Sequence, residues 1–89
     1  MSKTKSEEKA AAQARDRAAA AAMIHERRTL PTDETITRLK GIADGLRISK
    51  PDNDGLQTVT FLGIKTRPAR LRDALANWAN EARREARSA

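Results

Sequence analysis

Between Met1 and Met23 the chain carries no large apolar side chain, and this gap decides where a core can form. Hydrophobic residues make up 38% of the 89 positions, yet 17 of them are alanine. The larger ones begin at Met23 and Ile24 and end at Leu71, Leu75 and Trp78, so the segment able to bury a core runs from about residue 23 to 82. A segment of that length makes one small domain, close to the size at which a single core is marginal.

Several classes of function fall away on composition. The chain has no cysteine, which removes disulfide frameworks, thiolate metal sites and cysteine nucleophiles. No apolar run approaches the ~20 residues that span a bilayer. The N-terminal alanines are interrupted by Glu7, Glu8, Arg15, Asp16 and Arg17, unlike the compact apolar stretch of a secretory signal. A cytoplasmic protein without a membrane partner is the expectation.

Charge is placed unevenly. The net charge is +6, from 18 basic and 12 acidic side chains. Residues 1–30 hold seven basic and four acidic groups, and residues 65–89 hold seven and three. Residues 31–64, four against five, are close to neutral. A positive field at both ends attracts nucleic acid, anionic lipid or an acidic protein surface. It also keeps a small domain soluble, which is the plainer use of the same charges.

Local patterns predict an α+β, mostly helical domain: an Ala-rich helix, then helix, β-hairpin and helix. Residues 1–9 are polar and expected to be disordered. Residues 10–30 are a strong intrinsic helix, but alanines give it little to pack with, so it is expected to stand clear, fray or order on a partner. The domain proper spans 31–86. Leu30-Pro31 breaks the helical pattern, and Thr32 or Asp33 can cap a second helix over about 33–44. Its stripe is Ile36, Leu39, Ile42, Ala43 and Leu46, with Gly45 as a left-handed stop. Leu46–Ser49 and Leu56–Leu62 flank the turn-rich Lys50–Gly55, a hairpin signal, with Gly63 ending or bulging the second strand. Which strand face turns inward is open: Val59 with Phe61, or Leu56 with Leu62 and Ile64. Thr66-Arg67-Pro68 opens the last helix, whose stripe is Leu71, Leu75, Trp78 and Ala82. Residues 87–89 are expected to fray.

The inventory argues against an enzyme, a cofactor or a metal site. His25 is the sole histidine, and its helical neighbour Glu26 projects about 100° away, so the two make no dyad. No serine sits in a nucleophile-elbow pattern. Asp52-Asn53-Asp54-Gly55 opens like a calcium loop, but the twelfth position is Gly63 instead of a bidentate glutamate. Those four residues are explained by turn chemistry. The glycines are too dispersed for a phosphate-binding loop.

The informative segment is Lys65-Thr66-Arg67-Pro68-Ala69-Arg70-Leu71-Arg72-Asp73. If this is a helix start, its four cations crowd the end that already carries about half a positive charge. A phosphate there would turn that cost into a gain, whereas Asp73 and other acids could equally neutralise the cluster. Arg47 and Lys50, at the base of the hairpin, would extend a nucleic-acid-binding surface made of Lys65, Thr66, Arg67, Arg70 and Arg72. Only Phe61 and Trp78 are aromatic, and Trp78 lies on the core stripe, so base stacking is disfavoured and duplex DNA fits better than single strands. The expected function is a small DNA-binding or DNA-associated transcription regulator, with a hairpin edge open to pairing in a homodimer. The alternative is a protein-binding inhibitor or adaptor whose basic ends dock on an acidic partner. In style the composition is similar to small accessory proteins of bacterial mobile elements.

Overall fold

A computed structural model of the protein describes residues 5–88. Three helices surround one face of a small antiparallel sheet: α1 (Lys5–Glu26), α2 (Thr32–Ile42), β1 (Arg47–Ile48), β2 (Val59–Phe61), β3 (Ile64–Lys65) and α3 (Leu71–Ser88). The sheet order is β1-β2-β3, and both ladders are antiparallel. The fold is the expected α+β arrangement with one strand more than the hairpin. Of the tail expected to be disordered, residues 1–4 lie outside the described residues and residues 5–9 form the first turns of α1. At the other end Ala89 lies outside, and Arg87 and Ser88 close α3.

The strand faces are resolved by burial. Val59 and Phe61 point inward with 0% and 1% exposure, and Ile64 joins them from β3. They meet α3, which buries Ala74, Leu75, Trp78, Ala79 and Ala82. Trp78 anchors this contact. Its indole Nε1–H donates to the Phe61 carbonyl at 2.9 Å, and the two rings lie 5.4 Å apart at 46°. A buried indole with its polar atom satisfied contributes its full apolar area to the core.

Alanine gives α1 a docking face after all. Ala20, Ala21 and Ile24 are buried, and the residues that α1 and α3 bring to shared cavities run in opposite order, so the helices are antiparallel. Ile24 shares one cavity wall with Leu75 and Ala76, while Ala18, Ala21 and Ala22 line another with Ala82 and Ala86. Small side chains on both helices allow a close approach of the backbones, so packing is gained without large residues. Further along, the Arg17 Nε–H donates to the Leu62 carbonyl at 2.8 Å. The Ala-rich helix is thus held at two places. From α2, Leu39 enters the same core, with Ile36 and Ile42 packed against it. This helix starts at Thr32 with Pro31 as N-cap and no side-chain cap bond, so neither Thr32 nor Asp33 plays the capping role.

Two local departures from the expected pattern control the rest. Gly63 ends β2 without bulging it, and does so inside a turn that continues the ladder. With Leu62 at φ 50° and Gly63 at φ 80° between the paired Phe61 and Ile64, it forms a two-residue hairpin turn of the primed type, which creates β3. The last helix also starts later than expected, at Leu71 instead of Thr66. The Thr66 N–H donates to the Val59 carbonyl at 2.9 Å, and the Thr66 hydroxyl accepts the Val59 N–H at 2.9 Å. Continued in register, Gln57 would face Pro68, which has no N–H to offer. The chain slips by one residue, and Gln57 exchanges both backbone bonds with Ala69, at 2.7 and 3.0 Å. Pairing with β2 therefore holds the segment extended where local signals favour a helix.

Candidate functional site

The later start of α3 relocates the basic cluster. Lys65 is on β3, Arg67 follows it in extended chain, and only Arg70–Arg72 adjoin the helix start. The expectation that four cations crowd the first turn and a half of a helix is corrected: the helix-end argument reaches Arg70 and Arg72 alone. Thr66 is turned inward at the edge of the ladder. It is 5% exposed and its hydroxyl is committed to Val59, so its role is to close the ladder.

What the relocation creates is a groove. β3 is an edge strand, and the flank of α3 runs beside it. Lys65, Thr66 and Arg67 form one wall, and Asn77, Asn80, Glu81 and Arg84 form the other, around an open volume of about 580 Å³. The four α3 residues fall on one helical face at spacings of three and four, beside the buried stripe. The lining is polar: two amides, three cations and one carboxylate, with Glu81 already paired to Arg84 at 3.0 Å.

Pairing geometry adds a second row of cations. Arg47 pairs with Thr60 and Thr60 with Lys65, so the three side chains share the sheet face opposite Val59 and Phe61. Strands lie about 4.8 Å apart, which puts Arg47 and Lys65 about 10 Å from each other across that face. Lys65 and Thr60 form the non-hydrogen-bonded pair of the ladder, because Thr66 and Val59 make the bonded one. The backbone N–H and C=O of Lys65 consequently point outward along the edge.

The remaining candidates separate. Lys50 is exposed in the β1–β2 connection, and Arg70 is exposed just before α3. Arg72 turns to the far side of the domain, where its Nη2 approaches the Leu30 carbonyl at 3.5 Å. The connection itself is a turn, as its residue types imply: the Asp52 carboxylate accepts the N–H groups of Asp54 and Leu56 at 2.9 and 2.8 Å. Among the described residues, no carboxylate pairs with Lys65, Arg67, Arg70 or Arg47. Their charges are directed to solvent.

Asn77, Asn80 and Arg84 were outside the predicted surface. The signal was present as a second helical stripe parallel to Leu71, Leu75, Trp78 and Ala82, but a polar stripe flanking a core face is also what any amphipathic helix shows. Among the described residues, no helix is long and apolar enough to cross a membrane. Comparison with family models, curated proteins and solved structures gave no match for this chain.

Proposed function

We propose that this protein is a small, non-enzymatic DNA-binding regulator that holds the phosphate backbone of duplex DNA in the groove between β3 and α3. The observation that carries the reading is the pair of cations Lys65 and Arg67, without a carboxylate partner among the described residues, facing Asn77, Asn80, Glu81 and Arg84 across a groove, with Arg70 exposed three residues further on. Phosphates are the ligands that such a surface suits, because charge-assisted bonds from arginine are strong and each contact releases a condensed counterion. Arg47, in line with Lys65 across the sheet, and Lys50 extend the footprint. Amide side chains on a helix flank can meet base edges or phosphate oxygens. The shortage of exposed aromatics favours a duplex over single strands: Phe61 and Trp78 are both buried. A cytoplasmic regulator of transcription in a bacterial mobile element, acting as a homodimer on a two-fold site, is the setting we propose.

The test is the salt dependence of binding to a random-sequence 20-base-pair duplex, followed by fluorescence anisotropy. Arg67→Ala with Arg70→Ala removes two phosphate contacts and should reduce the slope of log K against log salt by about 1–2 units. An unchanged affinity and slope would remove the assignment. Light scattering with and without duplex reads the assembly state in the same samples.

The protein-binding reading, an inhibitor or adaptor docking on an acidic partner, is favoured by a different surface, on the side to which Arg72 turns.

A further inference from the structure

At the opposite end of the α1/α3 pair, an apolar cavity of about 160 Å³ opens to solvent. Its floor is Ile24, Leu30 and Leu75, with the exposed Ala76 at its mouth, contributed by the end of α1, the connection to α2 and the second turn of α3. Around it stand Arg27, Arg28 and Arg72, against the single carboxylate Asp73. None of the three arginines is ion-paired among the described residues. Arg72 reaches the Leu30 carbonyl and so ties the cavity's loop wall to α3.

The same spot gathers the amino ends of two helices. Thr32, the first residue of α2, and Arg72, the second of α3, both line the cavity. The α2 end has no side-chain cap. Helix amino ends carry partial positive charge from unpaired N–H groups, here offset by Asp33 and Glu34 in the first turn of α2 and Asp73 in that of α3, so the positive rim rests on the three guanidinium groups. An apolar hollow the size of one large side chain, ringed by positive charge, is complementary to a definite chemistry. The apolar floor offers nothing to a nucleic-acid backbone, whereas it suits an aliphatic or aromatic side chain delivered between carboxylates.

We infer that this cavity is a docking site for an acidic segment of a partner protein, in which one large apolar side chain enters the space between Ile24, Leu30 and Leu75 while flanking Asp or Glu side chains meet Arg27, Arg28 and Arg72. The site is separate from the β3/α3 groove and shares no lining residue with it. Together they would let one small domain hold a duplex on one side and an acidic partner on the other.

The probe is a random dodecapeptide library displayed on phage and selected on the immobilised full chain. Enriched peptides should carry several Asp or Glu residues around one Leu, Ile, Met, Phe or Trp. A synthetic copy of the leading peptide should lose about tenfold or more in affinity when that apolar residue becomes Ser. It should lose a similar factor on the charge-reversed variant Arg27→Glu with Arg28→Glu, and on Ala76→Trp, which fills the cavity mouth. All three positions are exposed, so the variants should fold, and circular dichroism checks this. Enrichment of no acidic sequence overturns the inference. So does a leading peptide that binds wild type, Ala76→Trp and the charge-reversed variant equally, or one whose Ser analogue binds unchanged, since charge alone would then account for capture.

Discussion

Arg17 on α1 reaches across to the hairpin and donates its Nε–H to the carbonyl of Leu62, 45 positions later in the chain, at 2.8 Å. Leu62 holds an unfavourable left-handed backbone at φ 50°, and the bond fixes its carbonyl toward the helix. A cation of the N-terminal segment therefore acts as a structural clamp on the turn that creates β3. The strand that carries Lys65 depends on that turn, so the clamp also supports the proposed groove.

The neighbouring Gly63 is constrained from two directions. Its φ of 80° disfavours any side chain, and a Cβ there would lie 3.0 Å from the Arg17 Nη2 atom. Gly63→Ala should cost about 1–3 kcal/mol in urea unfolding. In the background of Arg17→Met the same change should cost less, because the steric part is removed. Purely additive effects in this double-mutant cycle would mean that Arg17 does not sit over the turn.

Trp78 is the test of the core. It is fully buried, and its N–H bond to Phe61 joins α3 to β2. Trp78→Phe should destabilise the fold by about 2–4 kcal/mol, combining lost volume with loss of the indole N–H bond to the Phe61 carbonyl. Wild-type tryptophan fluorescence should be blue-shifted in the folded state and move to the red on unfolding.

Ala20 is the test of helix docking. With 0% exposure against α3, it has no room for a longer side chain. Ala20→Leu should lower stability by about 1–3 kcal/mol through overpacking, although leucine is almost as good a helix former. A free helix would accept the change without cost, as Ala14→Leu on the exposed side should.

His25 presents the opposite case. Its Nε2 is buried with no hydrogen-bond partner among the described residues. An unsatisfied buried nitrogen costs about 1–3 kcal/mol, so His25→Leu should leave stability unchanged or raise it. A clear loss of stability would show that the imidazole contributes through a contact that leucine cannot replace.

Much of the fold was legible because two periodicities are strong. Leu71, Leu75, Trp78 and Ala82 mark the buried face of α3, and the stripe of α2 is equally regular. Val59 and Phe61 read as alternating, although the choice of face needed the packing. Two features were hidden for definite physical reasons. A primed turn with leucine at its first central position has no sequence signature of the Asn-Gly kind, so β3 was unseen. Pro68 after Thr66 is the pattern of a helix start, and only a long-range pairing with Gln57 overrides it. Because Lys65 and Arg67 belong to that overridden stretch, the basic cluster was found by composition and misplaced by geometry. The partner wall of the groove, Asn77, Asn80 and Arg84, becomes visible only when β3 is set beside α3. Alanine misleads in the other direction: each side chain offers little area to pack, yet two alanine faces pack by coming close.

The most direct measurement is an amide chemical-shift map of the wild-type protein titrated with the random-sequence duplex at low salt. The largest shifts should fall on Lys65–Arg67, on Asn77–Arg84 and on Arg47, with Arg27, Arg28 and Leu30 little changed. Shifts confined to the Arg27–Leu30 region, or none at duplex concentrations that saturate ordinary nonspecific binding, would contradict a DNA grip between β3 and α3.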